Sequence, residues 1–89
     1  MTVKAESPET TTLLRLRIAA EADPGVLTRV LGHFQNLNVL PHRVVAEFAT
    51  NGVLHVQLDT SGISERRMSL IAAKMAECVS VVNAYWHWL

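Results

Sequence analysis

The feature that most constrains the fold is the order of two hydrophobic patterns along the chain, one alternating and one with helical spacing. An alternating segment from Leu13 to Ala20 precedes a segment with helical spacing from Pro24 to about Asn36. Two alternating segments follow, Val39 to Ala49 and Val53 to Asp59. A second helical segment begins after Ser64 and a final alternating segment covers Val79 to Trp88. Alternation predicts strands and a period of 3.6 predicts helices, so the predicted order is β-α-β-β-α-β.

Asn51-Gly52 joins the two central strands and predicts a type I′ hairpin turn, in which both residues have positive φ. A helix between two strands on either side of this hairpin is the split βαβ pattern. Right-handed crossovers then place both helices on the same side of the sheet. The predicted fold class is therefore α+β, a ferredoxin-like βαββαβ sandwich with a four-stranded antiparallel sheet and two helices on one face.

Local signals refine this prediction. Pro41 places the second strand at a sheet edge or lies just before its paired part. Asn38 ends the first helix in a left-handed conformation, and Ser64 caps the second. Gly32 within the first helix indicates a close contact on that face. The predicted buried residues of the first helix are Val26, Leu27, Val30, Leu31, Phe34 and Leu37. The open sheet face is expected to carry Arg15, Arg17, Arg43, Glu47, His55, Gln57 and Asp59.

Asp23-Pro24-Gly25 marks the junction between the first strand and the first helix. Asp23 is a good N-cap, and Pro24 at the first helical position loses no hydrogen bond. Gly25 leaves the backbone bare, so a ligand or a second chain can approach. A helix N-terminus also attracts anions. The sequence alone leaves two interpretations open, an ordinary cap and a ligand site.

The 89 residues predict one domain, a lead-in at residues 1–12 followed by a folded unit at 13–89. Eight basic and eight acidic residues cancel, so no basic field favours nucleic acid or anionic lipid. No apolar run is long enough for a membrane helix, and the polar N-terminus predicts no signal peptide. The single cysteine, Cys78, excludes an internal disulfide and favours a cytoplasmic setting.

Metal and catalytic chemistry have weak support. Four histidines at positions 33, 42, 55 and 87 fit no compact ligand motif. Nucleophilic catalysis needs Cys78 or a serine beside an oriented base, and no motif of that kind is present. We therefore expect no metal, no cofactor and no catalytic residue. Aromatic residues near the C-terminus are expected in the core or an interface rather than stacked on bases.

The run from Asp23 to Gly32, followed by a short helix and Asn38-Val39, resembles the ACT domain, a family of small regulatory modules that bind amino acids. Its Gly25, Leu27, Arg29, Val30 and Gly32 are similar to the Gly-x-Leu-x-Arg-Val-x-Gly run of the small regulatory subunits of acetolactate synthase. The resemblance implies side-by-side homodimers with an effector between the strand-to-helix loop of one chain and the second strand of its neighbour.

On this resemblance the ligand-binding residues are Asp23, Pro24, Gly25, Val26 and Leu27 on the loop side and Asn38, Val39 and Leu40 on the facing side. Backbone N–H groups near Gly25 would hold the effector carboxylate. Many family members have Asp or Asn where this chain has Ala22.

The expected function is non-catalytic regulation of a biosynthetic enzyme such as acetolactate synthase, whose large catalytic subunit would be the partner. The alternatives are a free-standing amino-acid sensor, an effector-free dimer, and an RNA- or metal-binding ferredoxin-like domain.

Overall fold

The computed structural model describes residues 13–89, so the predicted lead-in at residues 1–12 lies outside the described residues. The elements are β1 (Leu14–Ala20), α1 (Pro24–Asn36), β2 (Arg43–Phe48), β3 (Leu54–Thr60), α2 (Glu65–Ala76) and β4 (Val81–Trp88). The strands form one antiparallel sheet in the order β2-β3-β1-β4. The predicted ferredoxin-like fold is confirmed.

The hydrophobic core lies between the sheet and the two helices. Leu16 on β1, Leu58 on β3 and Phe34 on α1 are all fully buried. α2 contributes four buried residues, Met68, Ile71, Ala72 and Met75. β1 is central because it pairs with both β3 and β4, which explains why its alternation is the most regular in the chain.

The helix ends follow the predicted local chemistry. Ser64 Oγ accepts a hydrogen bond from the Arg67 N–H at 3.1 Å and caps α2. Asn38 has a φ of 58°, which ends α1 in the left-handed region. Pro41 lies just before β2, and β2 is an edge strand. These predictions are confirmed.

The central turn differs from the predicted type I′ geometry. Only Gly52 has positive φ there, at 84°, whereas Asn51 does not. The Gly52 N–H donates to Ala49 O at 2.9 Å, and Asn51 Oδ1 accepts from the Val53 N–H at 3.1 Å. The loop is therefore wider than two residues, because the Asn51 side chain bonds to the backbone locally and one glycine supplies the left-handed conformation.

β4 contains an irregularity that interrupts the alternation of its two faces. The register with β1 shifts between Ala19 and Ala20, so Val81 and Ala84 both face the helices while Val82 is exposed. Trp86 also lies on the helix side, where its Nε1–H donates to Ser69 Oγ at 2.7 Å. A bulge of this kind inserts one residue and reverses the alternation beyond it.

One prediction for α1 is wrong, and a second finds no support within the protomer. Leu31 was expected in the buried stripe but is 38% exposed, because α1 leaves the helix side of β2 uncovered. A Cβ at Gly32 would meet no atom within 4 Å, so the expected close contact is absent from the described part of the protomer.

None of the described helices is long and apolar enough to cross a membrane.

Candidate functional site at the start of α1

Asp23 occupies the junction between β1 and α1 as an N-cap with an extended backbone. Its Oδ1 accepts from the Gly25 N–H at 2.9 Å, and its Oδ2 accepts from the Ser80 hydroxyl at 2.9 Å. The hydrogen bond from Gly25, followed by that from Ser80, lowers the pKa of the Asp23 carboxyl. The cap therefore ties the start of α1 to the loop that precedes β4.

The cap has a direct consequence for anion binding. The Gly25 N–H already donates to the carboxylate of Asp23. A bound ligand carboxylate would share or replace that acceptor. A Cβ at Gly25 would lie 3.2 Å from Asp23 Oδ1, so the glycine also leaves room for the capping carboxylate itself.

An open cavity of about 540 Å³, here called the loop pocket, lies between this junction and β2. Its lining is mostly apolar and consists of Ala22, Asp23, Pro24, Leu27, Ala46, Phe48 and Leu54. Asp23 is the charged member of this lining. The loop pocket suits a ligand with an apolar body and one polar end.

A second open cavity of about 330 Å³, here called the helix-end pocket, lies at the other end of α1. It is lined by Leu31, Phe34, Gln35, Asn38, Val39, Leu40 and Pro41. Leu40 is 87% exposed beside it. The left-handed turn at Asn38 directs the chain from α1 towards β2 and so shapes this pocket.

The eight sequence-predicted ligand residues thus fall into separate places in one protomer. Asp23, Pro24 and Leu27 line the loop pocket, whereas Asn38, Val39 and Leu40 line the helix-end pocket. The 13 residues of α1 separate the two pockets by about 20 Å. Val26 is fully buried in the core. Gly25 contributes through its backbone.

The open sheet face carries a strong ion pair. Arg15 Nε donates to Asp59 Oδ1 at 2.7 Å and Arg15 Nη2 donates to Asp59 Oδ2 at 2.9 Å. These bonds lower the pKa of Asp59 and raise the pKa of Arg15. Bidentate pairing of this kind holds both side chains in one geometry.

One serine–histidine pair was missed in the sequence. His42 Nε2 and Ser61 Oγ lie 2.7 Å apart, brought together by the pairing of β2 with β3. The nearest carboxylate along β3, that of Asp59, bonds to Arg15 through both oxygens. Neither His42 nor Ser61 lines the loop pocket or the helix-end pocket. Their separation of 19 residues leaves no local motif to detect.

Metal-binding side chains do not converge: within residues 13–89 there is no group of three or more His, Cys, Asp or Glu side chains placed to hold an ion. Cys78 is a half-buried free thiol near the end of α2.

Residues 6–89 match the family model of the ACT-like domain. The chain belongs to this family, whose members are regulatory modules. The resemblance to the ACT domain is confirmed, and the narrower similarity to the small subunits of acetolactate synthase stays a prediction. A comparison with curated proteins gave no significant match.

Solved structures from several proteins share the fold. The C-terminal domain of the MgtC protein from Mycobacterium tuberculosis has a TM-score of 0.79 at 9% identity, with 96% of this chain and 94% of that domain covered. The ACT domain of GTP pyrophosphokinase from Chlorobium tepidum has a TM-score of 0.68 at 17% identity, with 86% and 100% covered. A homoserine dehydrogenase from Thiobacillus denitrificans has a TM-score of 0.71 at 21% identity; the match covers 96% of this chain but 20% of the enzyme.

Proposed function

We propose that this ACT-like domain is a non-catalytic regulatory subunit that forms a homodimer through β2 and binds an amino acid in a cavity shared by two protomers. The observation that supports this proposal most is the uncovered apolar side of β2. Val44 is 42% exposed and Phe48 is 67% exposed on the side of the sheet that the helices cover elsewhere. An apolar edge strand left open in this way favours pairing with another chain.

The geometry of an edge-to-edge dimer supports a shared site. Antiparallel pairing of β2 with its copy would set Phe48 near the Arg43 end of the neighbouring strand. The loop pocket lies at the Phe48 end of β2, and the helix-end pocket lies before its Arg43 end. The loop pocket of one protomer would therefore meet the helix-end pocket of the other, which unites residues that one protomer keeps apart.

The lining of the loop pocket indicates which amino acids to expect. Leu27, Phe48 and Leu54 offer apolar surface for a branched aliphatic side chain, as in valine, leucine or isoleucine. The Asp23 carboxylate accepts two hydrogen bonds and has capacity for about two more, so it can receive a ligand ammonium group. The N-terminus of α1 favours the ligand carboxylate.

The proposed partner is the large catalytic subunit of a biosynthetic enzyme. Acetolactate synthase is the first candidate because of the glycine-to-glycine run from Gly25 to Gly32. The effector would shift activity by binding one arrangement of the complex more tightly than another. A cytoplasmic setting is part of this proposal and agrees with the free thiol of Cys78.

Titration of the isotope-labelled chain with each of the twenty amino acids tests the site. We expect a branched-chain amino acid to shift the backbone signals of residues 22–27 and 38–40 together. Ala22→Asp should tighten binding, since it adds a second carboxylate at the exposed edge of the loop pocket. Ala73→Asp adds the same charge on exposed helix surface and should leave binding unchanged. Shifts at neither segment with any amino acid would refute the effector site.

The partner needs a separate test. The chain should co-purify with an acetolactate synthase large subunit and change its activity, and the change should depend on valine, leucine or isoleucine. Equal activity of the large subunit with and without the chain would refute this enzyme as the partner.

An effector-free dimer is the second candidate, and the occupied Gly25 N–H favours it. In that case the dimer persists in sedimentation experiments while no amino acid changes its thermal stability. A ligand present at 100 times its Kd would otherwise add about 2.7 kcal/mol.

A further inference from the structure

The open face of the sheet, opposite the helices, has a regular layout set by the strand register. In one row across β2, β3, β1 and β4 lie Val45, Gln57, Arg17 and Tyr85. In the next row lie Glu47, His55, Ala19 and Asn83. Ala19 is the smallest of these eight residues and sits on a central strand. The larger side chains around it therefore leave a hollow in the middle of the sheet.

This hollow is a cavity of about 330 Å³, here called the open-face cavity. Ala19 forms its floor, and both rows contribute to its lining. The lining brings together a guanidinium, a carboxylate, an imidazole, a phenol and two carboxamides. This is a dense set of polar groups for a small concave surface.

Arg17 is held in place at one side of the open-face cavity. His87 Nδ1 lies 2.9 Å from the carbonyl oxygen of Trp88, which accepts only, so this hydrogen bond assigns the ring proton to Nδ1. His87 Nε2 then accepts from Arg17 Nε at 3.1 Å. This hydrogen bond uses one of the five guanidinium N–H groups, so Arg17 keeps further donors for a ligand.

Two oppositely charged side chains in the lining of the open-face cavity, Arg17 and Glu47, are not paired with each other. Arg15 and Asp59 satisfy one another. Arg17 and Glu47 form no ion pair within residues 13–89. They stand on β1 and β2 with β3 between them, at positions two residues apart along the strands. Strand spacing and rise place their Cα atoms roughly 12 Å apart.

We propose that the open-face cavity binds a small dipolar molecule whose anionic group meets Arg17 and whose cationic group meets Glu47. The separation of these side chains favours a ligand with its charges several bonds apart, such as a dipeptide or an ω-amino acid. In an α-amino acid both charged groups are attached to one carbon, so their short separation fits this arrangement less well. Gln57 and Asn83 would bond to polar groups between the two ends.

This site is separate from the proposed effector site. The open-face cavity and the loop pocket lie on opposite faces of the sheet, and they share no lining residue. Binding in the open-face cavity can therefore be present or absent whatever the outcome for the loop pocket.

Titration of the isotope-labelled full chain with glycylglycine tests the proposal. The side-chain NH₂ signals of Gln57 and Asn83 report directly on the cavity, and we expect both to shift. Glycine, an α-amino acid, should bind at least tenfold more weakly. N-acetylglycine, which lacks the ammonium group, should also bind more weakly than glycylglycine.

Two variants locate the site. Ala19→Val fills the floor with a residue that suits a strand and should weaken glycylglycine binding at least tenfold. Glu47→Gln should remove the preference for glycylglycine over N-acetylglycine, while Glu77→Gln, an exposed change after α2, should not. Unshifted NH₂ signals up to tens of millimolar glycylglycine, equal binding by Ala19→Val, or shifts confined to residues 22–27 would overturn the proposal.

Discussion

Replacing Phe48 by threonine should dissociate the proposed homodimer. Phe48 is 67% exposed, and a phenylalanine buries roughly 200 Å² when fully covered, so about 130 Å² per protomer is available to a partner. Two copies at about 25 cal/mol per Å² give an upper limit of about 6–7 kcal/mol. Because the interface covers part of this area and threonine keeps part, we expect a loss of about 3 kcal/mol, which is roughly a hundredfold rise in the dimer Kd. Sedimentation equilibrium over a range of concentrations measures this change.

Val82→Thr is the matched control for this prediction. Val82 is 66% exposed and lies on β4, the edge strand at the opposite side of the sheet. Both substitutions introduce a residue that suits a strand, so neither should unfold the protomer. A wild-type chain that stays monomeric at high concentration, or equal changes of Kd in the two variants, would refute the assignment of β2 as the interface.

Three further predictions concern stability. Gly32→Ala should stabilise the protein by about 1 kcal/mol and raise Tm by about 4–8 °C, because the added methyl group meets no neighbour; a lower Tm would show that a partner packs there. Leu16→Ala should cost about 2–5 kcal/mol in chemical denaturation because this side chain is fully buried. Arg15 lowers the pKa of Asp59, so the contribution of this pair is present above the unfolded carboxyl pKa of about 3.9 and is lost as the pH falls below it. Asp59→Asn should flatten that acid limb, and an unchanged pH profile of Tm would contradict the linkage.

The fold could be predicted from the sequence because its local signals agree with each other. The alternation in β1 is regular because that strand has a neighbour on both sides and packs one face on the helices. Ser64 and Asn38 could be assigned because capping and left-handed conformations depend on a few adjacent atoms. Predictions that depend on a few neighbouring residues need no knowledge of the tertiary structure.

Predictions that depended on distant packing were less reliable. Leu31 has the spacing of a core residue, but its burial depends on whether α1 covers β2, which no local pattern reports. Alternation on β2, with Arg43 and Glu47 on the open face, implies that Val44 and Phe48 lie on the helix side, but it does not predict that both are exposed there. If a second protomer covers β2, as proposed, the hydrophobic pattern describes the dimer rather than the protomer.

The candidate site also combines local features that the sequence predicts with distant contacts that it does not. Asp23 was recognisable as a cap, but its second hydrogen bond comes from Ser80, 57 residues away. His42 and Ser61 meet only because β2 pairs with β3. The open-face cavity had one detectable signal, the small Ala19 among large polar neighbours. This signal could be interpreted only once the strand register showed which side chains surround Ala19.

β2 connects the two proposed sites, and this connection has a thermodynamic consequence. Ala46 lines the loop pocket, while its neighbours Val45 and Glu47 line the open-face cavity. The same strand is the proposed dimer contact, so pairing that changes the twist or register of β2 would move the linings of both cavities. A ligand that favours one arrangement of β2 must then alter the affinity of the other site, and the effect must be equal in both directions. Measuring glycylglycine affinity with and without a bound amino acid would give this coupling. Val44→Asp, which changes the exposed side of β2 outside both cavities, should abolish it if it passes through the dimer.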